Sequence, residues 1–369
     1  MELADLHQPR TLQEAIIHFS DLDVALQTMV RHRWPHGVRC PICGAENPHF
    51  LAKQRRWQCR NKHPGRQFSA KTGTIMEDSP LGLDKWFMAI WLISNCKNGV
   101  SSLEIKRAIG VTQKSAWFML HRIRLAMQTG TFEKANGTAE ADETLIGGLA
   151  KNMHKHKREK KITGTGASGK TVVMGILSRG SGKNKSRILK AKTIADTTKE
   201  TLHAEIKAAV ATGATIYTDS HSGYGGLAEE YVHEVVNHAM EYVRDKVHVN
   251  GMENFWSLLK RAIKGTYVSV TPPHLDAYID EQAFRFNERE MDDGDRFRMV
   301  VSAVKGKRLT YRELIGRNAA EGDAAGDRDR GRADDGQVQQ PAQPVAARKS
   351  KRGTAERGRV EERAPQAPI

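Results

Sequence analysis

Three acidic residues far apart in the chain, Asp142, Asp219 and Glu253, each occupy a setting where a lone carboxylate is costly or pointed. Asp142 lies inside AEADETLIGG, a run that reads as a strand, and Asp219 closes the short apolar strand IYTD. Glu253 sits near the start of HVNGMENFWSLLKR, residues 248–261, where Met252, Phe255, Leu258 and Leu259 recur at helical spacing as one apolar stripe. A carboxylate in or at the end of a buried strand is unfavourable unless something pairs with it. Two strand aspartates joined by a glutamate from a packed helix could share divalent cations. Mg2+ (or Mn2+) suits such a set, because it takes few protein carboxylates and fills its remaining positions with water and substrate phosphate. Paired ions of this kind serve phosphodiester chemistry, one at the attacking oxygen and one at the leaving oxygen. Singly, each acid has an ordinary alternative, since strand-end aspartates are commonly turn formers. Lys260 falls two turns after Glu253 on nearly the same face, as a cation steadying DNA or as a solvated helix lysine. Strand alternation directs the neighbouring Glu143 to the face opposite Asp142.

A second set of ligands lies upstream. Cys40 and Cys43 form a C-x2-C knuckle, and Cys59 and His63 stand where a facing hairpin would complete a tetrahedron around Zn2+. With four protein ligands the zinc would be structural, with no open position for catalysis. Reduced, unliganded cysteines are the plain alternative. Trp57 and Phe68 flank the second knuckle and would pack the module's small core. Arg55, Arg56, Arg60, Lys62 and Arg66 make the module basic enough to meet phosphate. Clustered cysteines suit a reducing compartment. Cys96, in an apolar helix, reads as a small buried residue.

The acids need a sheet with helices packed on it. KTVVMGILSR and KSRILKAKTI read as strands pairing antiparallel about the turn RGSGKN, and ATIYTD and YVHEVVNH as further strands. TKETLHAEIKAAVATG and HLDAYIDEQAFRFNER have helical periodicity, so the region is α/β. The preceding stretch is helical throughout. In it, SSLEIKRAIG followed by VTQKSAWFMLHRIRLAM has the grammar of a helix-turn-helix, turning at Gly110, with Ser101 or Ser102 and Thr112 as caps. Its second helix would present Gln113, Lys114 and Ser115 to the DNA major groove; an ordinary helical pair is the alternative. Lys155, Lys157, Arg158, Lys160 and Lys161 read as a flexible basic insertion able to clamp phosphates. GTGASGKT, residues 164–171, fits the phosphate-loop pattern, but a basic run precedes it and a β-prone run follows, the wrong context for ATP binding.

The formal net charge of +15 over 369 residues favours a polyanionic partner, most simply nucleic acid. No apolar run is long enough to span a membrane, and the first residues, MELADLHQPR, lack a signal-peptide pattern, so a cytoplasmic protein is expected. Residues 317–369 are poor in aromatic and branched apolar side chains and read as a disordered tail.

Taken in order, CPIC with Cys59 and QFSAKTGTI, then ADETLIGG, TDSHSGY, HVNGMENFWSLLKRAIKGTY and HLDAYIDEQAFRFNER resemble the DDE transposases of the IS1595 type, the ISXO2-like group, from about residue 15 to 290. The resemblance implies an RNase H-like fold, with Asp142, Asp219 and Glu253 as the catalytic triad holding Mg2+. It implies an enzyme that cuts double-stranded DNA at insertion-sequence ends and joins those ends to target DNA, working as a homodimer or larger synaptic complex. The expected organisation is a helical lead-in over 1–36, a zinc ribbon over 37–76, a helix-turn-helix region over 80–130, the catalytic domain over 136–292, a helical extension over 293–316 and the tail. The competing reading is a zinc-ribbon/helix-turn-helix DNA-binding regulator whose RNase H-like domain is inactive.

Overall fold

A computed structural model describes residues 8–128, 134–148, 154–161, 169–180, 186–236 and 248–316. Its first helices start where side chains satisfy the free amides of a helix N-terminus. Thr11 accepts the amide of Glu14 to open α1 (Leu12–Ser20), and Asp21 accepts those of Asp23 and Val24 to open α2 (Leu22–Arg33). Three short antiparallel strands follow in the order β1-β2-β3: β1 (His49–Leu51), β2 (Arg56–Gln58) and β3 (Gln67–Phe68). Trp57 faces Phe68 across the β2–β3 pair with ring centroids 6.0 Å apart, and Trp34 packs edge-on against both.

Helix α3 (Leu83–Asn95) buries Trp86, Phe87, Ile90 and Trp91. Cys96 is its C-cap and is half-buried, so it lies at the helix end rather than within the helix. Next come α4 (Ser102–Ile109) and α5 (Gln113–Met127). Ser101 and Glu104 form a reciprocal capping box on α4, and Thr112 caps α5. Gly110 joins the two helices at φ 64°, a left-handed conformation that a side chain would disfavour.

The second part is built on five strands: β4 (Thr138–Ile146), β5 (Thr171–Ser178), β6 (Arg187–Ile194), β7 (Thr215–Asp219) and β8 (Val232–Val236). They lie in the order β6-β5-β4-β7-β8. β4, β5 and β6 pair antiparallel, whereas β7 runs parallel to β4 and β8 parallel to β7. Between β4 and β5 the basic run forms helix α6 (Lys155–Lys161), since lysines and arginines are good helix formers; the rest of the insertion, 149–153 and 162–168, lies outside the described residues. In the phosphate-loop look-alike, 164–168 lie outside the described residues, and Thr171 opens a strand rather than a helix.

Alternation sends the two sides of each strand to different helices. Ala139, Ala141, Met174, Ile176 and Ile216 pack against Leu202 and Ile206 of α7 (Lys199–Ala209). Val173, Leu177 and Ile188 pack instead against Met252, Phe255, Trp256 and Leu259 of α8 (Asn250–Ala262), with Leu275 and Ile279 of α9 (Pro272–Asn287). Trp256 thus joins the apolar stripe expected from the sequence, and Leu258 is only half-buried.

Helix α10 (Asp293–Ser302) then returns to the N-terminal helices, where Phe297 meets Phe19, Phe87 and Trp91 at 5.1–5.5 Å between ring centroids. The short α11 (Tyr311–Leu314) ends the described chain. A buried charge cluster ties α5 to α9, with Arg124 Nε 2.6 Å from Glu281 and Arg285 on the same carboxylate. Tyr267, in the π-helical turn Ile263–Tyr267 after α8, donates to Glu281 as well. The tail read as disordered, 317–369, lies outside the described residues.

Candidate active site and metal centre

The three acids read from the sequence come from β4, β7 and α8. The printed pairing of β4 with β7 runs Thr138–Thr215, Ala139–Ile216 and Glu140–Tyr217 and then stops. The same register continued sets Asp142 level with Asp219, on the face toward α8 and just where the strands part. Parting strands leave backbone and side chains accessible at a sheet opening, and in open α/β sheets ligands bind beyond the carboxyl ends of strands.

Asp142 is held from two sides. Its Oδ1 accepts the Glu143 amide at 2.8 Å, and its Oδ2 accepts the Trp256 indole at 2.9 Å. Gly175 makes the second bond possible. It faces Asp142 across the β4–β5 ladder, and a Cβ there would stand 2.2 Å from Met252 Cε and 2.8 Å from the Trp256 ring. Burial pushes the Asp142 carboxyl up to about 7, helped by the negative charges of Glu143 and Asp219. Asp219 is half-buried, and its Oδ1 accepts the His221 amide at 3.0 Å. Glu253 is exposed in the first turn of α8, on the flank that also carries Trp256 and, two turns on, the half-buried Lys260.

Two neighbouring acids were not counted among the site residues read from the sequence. Glu143 does point to the opposite face, as alternation requires, and there it accepts the Tyr224 hydroxyl with His221 Nδ1 3.7 Å away. Burial raises its carboxyl above the usual range. Glu140, one alternation before Asp142, is 1% exposed and accepts the backbone amide of Met252 at 2.9 Å. The i, i+2 spacing to Asp142 was a legible signal that both face one way.

Among the described residues, the ligand group drawn together closely enough for one ion is Cys40, Cys43, Cys59 and His63, whose ligand atoms all lie within 4.8 Å of one another. Cys40 Sγ stands 3.4 Å from His63 Nε2 and Cys43 Sγ 3.5 Å from Cys59 Sγ, about the edge lengths of a tetrahedron with Zn–S bonds of about 2.3 Å. His63 Nδ1 lies 2.8 Å from the Pro64 carbonyl, so that nitrogen carries the proton and Nε2 is left to ligate. This Cys3His cluster stands in the loops before β1 and between β2 and β3, and it fits structural zinc. Asp142, Asp219 and Glu253 do not close into a group of that kind.

Of the expected DNA contacts, Lys114 is exposed at the start of α5, with its Nζ 4.7 Å from the Tyr311 ring centroid. Gln113 and Ser115 are half-buried, and the Ser115 hydroxyl lies 2.9 Å from that of Thr112, so both are less available than the sequence suggested. Arg158 is exposed on α6, which also carries Lys157. No helix among the described residues is long and apolar enough to cross a membrane.

Residues 134–287 match the family model of the ISXO2-like transposase domain, and residues 21–61 match that of the transposase zinc-ribbon domain. A protein in the transposable element ISH50 of Halobacterium salinarum is 28% identical over 277 residues, covering 71% of this chain and 91% of that protein. A transposase-like protein of Haemophilus influenzae is 28% identical over 107 residues, covering 29% of this chain and 85% of its own length. Together the two family models take in most of the zinc-ribbon region and the sheet carrying the acids, and the chain carries the domains of an ISXO2-like transposase.

Proposed function

We propose that this transposase cleaves double-stranded DNA at the ends of its insertion sequence and transfers those ends into target DNA, using Asp142, Asp219 and Glu253. The observation that carries this reading is the level placement of Asp142 and Asp219 on adjacent parallel strands beneath the helix that bears Glu253. The strand order, with three antiparallel strands in sequence and two parallel strands appended to the first, supports an RNase H-like catalytic domain. Burial, with the negative charges of Glu143 and Asp219, pushes the Asp142 carboxyl up to about 7, a setting that a divalent cation relieves. Their oxygen donors fit Mg2+ or Mn2+, which when bound would stabilise charge on the attacking and leaving oxygens of the phosphodiester.

The chain's own residues supply the positioning. Trp256 fixes the rotamer of Asp142, and α8 brings Glu253 to the same side of the sheet. Lys260, on the Glu253 flank, meets a DNA phosphate. Lys114 on α5, Lys157 and Arg158 on α6 and the basic ribbon bind the terminal repeats, with zinc holding the ribbon. The helices α4 and α5 act as a helix-turn-helix. Both ends must be held at once, so a dimer or larger assembly on the bacterial nucleoid carries out the reaction.

The competing reading is a DNA-binding regulator with an inactive catalytic domain. Nicking of a supercoiled plasmid carrying the element ends, with and without Mg2+, separates the two. Wild-type protein should nick only with the metal, and Asp142→Ala, Asp219→Ala and Glu253→Ala should lose about 1,000-fold or more, as removal of groups acting as one unit does. Nicking by all three variants at the wild-type rate would sink the enzyme reading.

A further inference from the structure

We infer that Glu140 and Arg179 are positioning residues that set the geometry among the three acids, a deepening that rests on the catalytic reading above. Glu140 is almost fully buried, and Arg179 Nε pairs with its Oε1 at 2.7 Å. The other carboxylate oxygen accepts the Met252 amide at 2.9 Å. That amide is one of the free donors in the first turn of α8, whose N-cap, Val249, has no side-chain acceptor to offer. Glu140 therefore caps α8 from the neighbouring strand. Close approach is secured by Gly251, where a Cβ would stand 2.8 Å from Glu140 Oε2.

Arg179 extends the link to the other acids. Its Nη2 donates to the His248 carbonyl and to His248 Nδ1, just before α8, and its guanidinium lies 4.5 Å from the Tyr217 ring centroid on β7. Each point of attachment is close in sequence to one acid. Glu140 precedes Asp142 by one alternation of β4, Tyr217 precedes Asp219 by one alternation of β7, and Met252 adjoins Glu253. One ion pair, with Glu140 buried and Arg179 half-buried, thus gathers the three elements on which the acids stand. A buried ion pair adds little net stability over apolar packing, because desolvation offsets its attraction. Stability alone is then a poor account of this pair, and geometry is a better one.

The test is Mn2+ binding by zinc-loaded full-length protein, followed by calorimetry, together with plasmid nicking. Glu140→Ala and Arg179→Ala should weaken Mn2+ binding by about 10- to 100-fold, as loss of groups that orient metal ligands does, while DNA affinity stays within about twofold. Glu140→Gln keeps an acceptor for the Met252 amide and Arg179→Lys keeps the charge, so both should recover part of the binding. Folded alanine variants that bind Mn2+ as wild type does would overturn the inference. Should the alanine variants fail to fold, Glu140→Gln and Arg179→Lys decide it by the same reading, wild-type binding in both being the overturning result. Asp142→Asn separates the two levels of the argument. If it binds Mn2+ normally, the catalytic reading itself has failed; if it does not, while the Glu140 and Arg179 variants bind normally, only the positioning role is lost.

Discussion

The indole Nε1 of Trp256 on α8 donates to Oδ2 of Asp142 on β4 at 2.9 Å, joining the helix of one acid to the strand of another. This bond stabilises the charged carboxylate, which burial and the nearby acids oppose. Trp256→Phe keeps the ring in the core and removes only the donor. Metal-dependent nicking should fall about 10- to 100-fold with little change in Tm. Unchanged nicking in a folded Trp256→Phe protein would remove the bond from the account.

The same carboxylate should make metal-free protein less stable at higher pH. Its folded value is near 7 against an ordinary 3.8, so between those values the folded chain keeps a proton that the unfolded chain has released. Stability from this group is then greatest at low pH and is lost as pH rises through about 7. Asp142→Asn should raise the Tm of metal-free protein at pH 8 by about 2 °C or more, since it removes a charge that burial disfavours. A lower Tm for Asp142→Asn under those conditions would contradict the burial argument.

Gly175 gives a steric test of the same junction. Gly175→Ala places a methyl where Met252 and Trp256 already stand, so α8 must shift outward. Overpacking of this kind costs about 1–3 kcal/mol, which chemical denaturation would read. Because Trp256 moves with the helix, nicking should fall by more than the loss of folded protein explains.

His121 on α5 predicts the acid limb of stability. It is buried beside Trp117, His274 and Tyr278, and burial, with the Arg124 and His274 charges, pushes it down to about 2. Below the ordinary histidine value of 6.5 the unfolded chain takes up a proton that the folded chain refuses. Stability should be level above that value and fall below it, by up to about 1.4 kcal/mol per pH unit from this group. Urea unfolding at pH 7 and pH 5 should show a smaller difference for His121→Phe than for wild type.

Zinc removal should act locally. The ribbon's aromatic residues, Trp34, Phe50, Trp57 and Phe68, continue into the core of the N-terminal helices, so metal loss should loosen the loops that carry the ligands rather than the whole chain. Purified protein should carry one zinc per chain, and chelation should shift Trp fluorescence and weaken DNA binding. Retention of one zinc by Cys59→Ala with unchanged affinity would exclude this ligand set.

The amino-acid sequence by itself carried whatever depends on neighbours along the chain. Cys40 and Cys43 share a knuckle because of their spacing; Ser101 and Thr112 cap helices because their side chains reach amides three residues on. Alternation alone placed Asp142 and Glu143 on opposite faces of β4. Tertiary structure decided the rest. The level register of Asp142 with Asp219 depends on which strands pair and where they part, and Glu140 could be known as the cap of α8 only once a residue far along the chain stood beside it. The return of α10 to Phe19 and Phe87 was equally hidden, because an apolar helix face records that it must be covered and not by what. Local hydrogen bonds and periodicity are short-range and survive in the linear text, whereas partners chosen by burial are settled only when the whole chain packs.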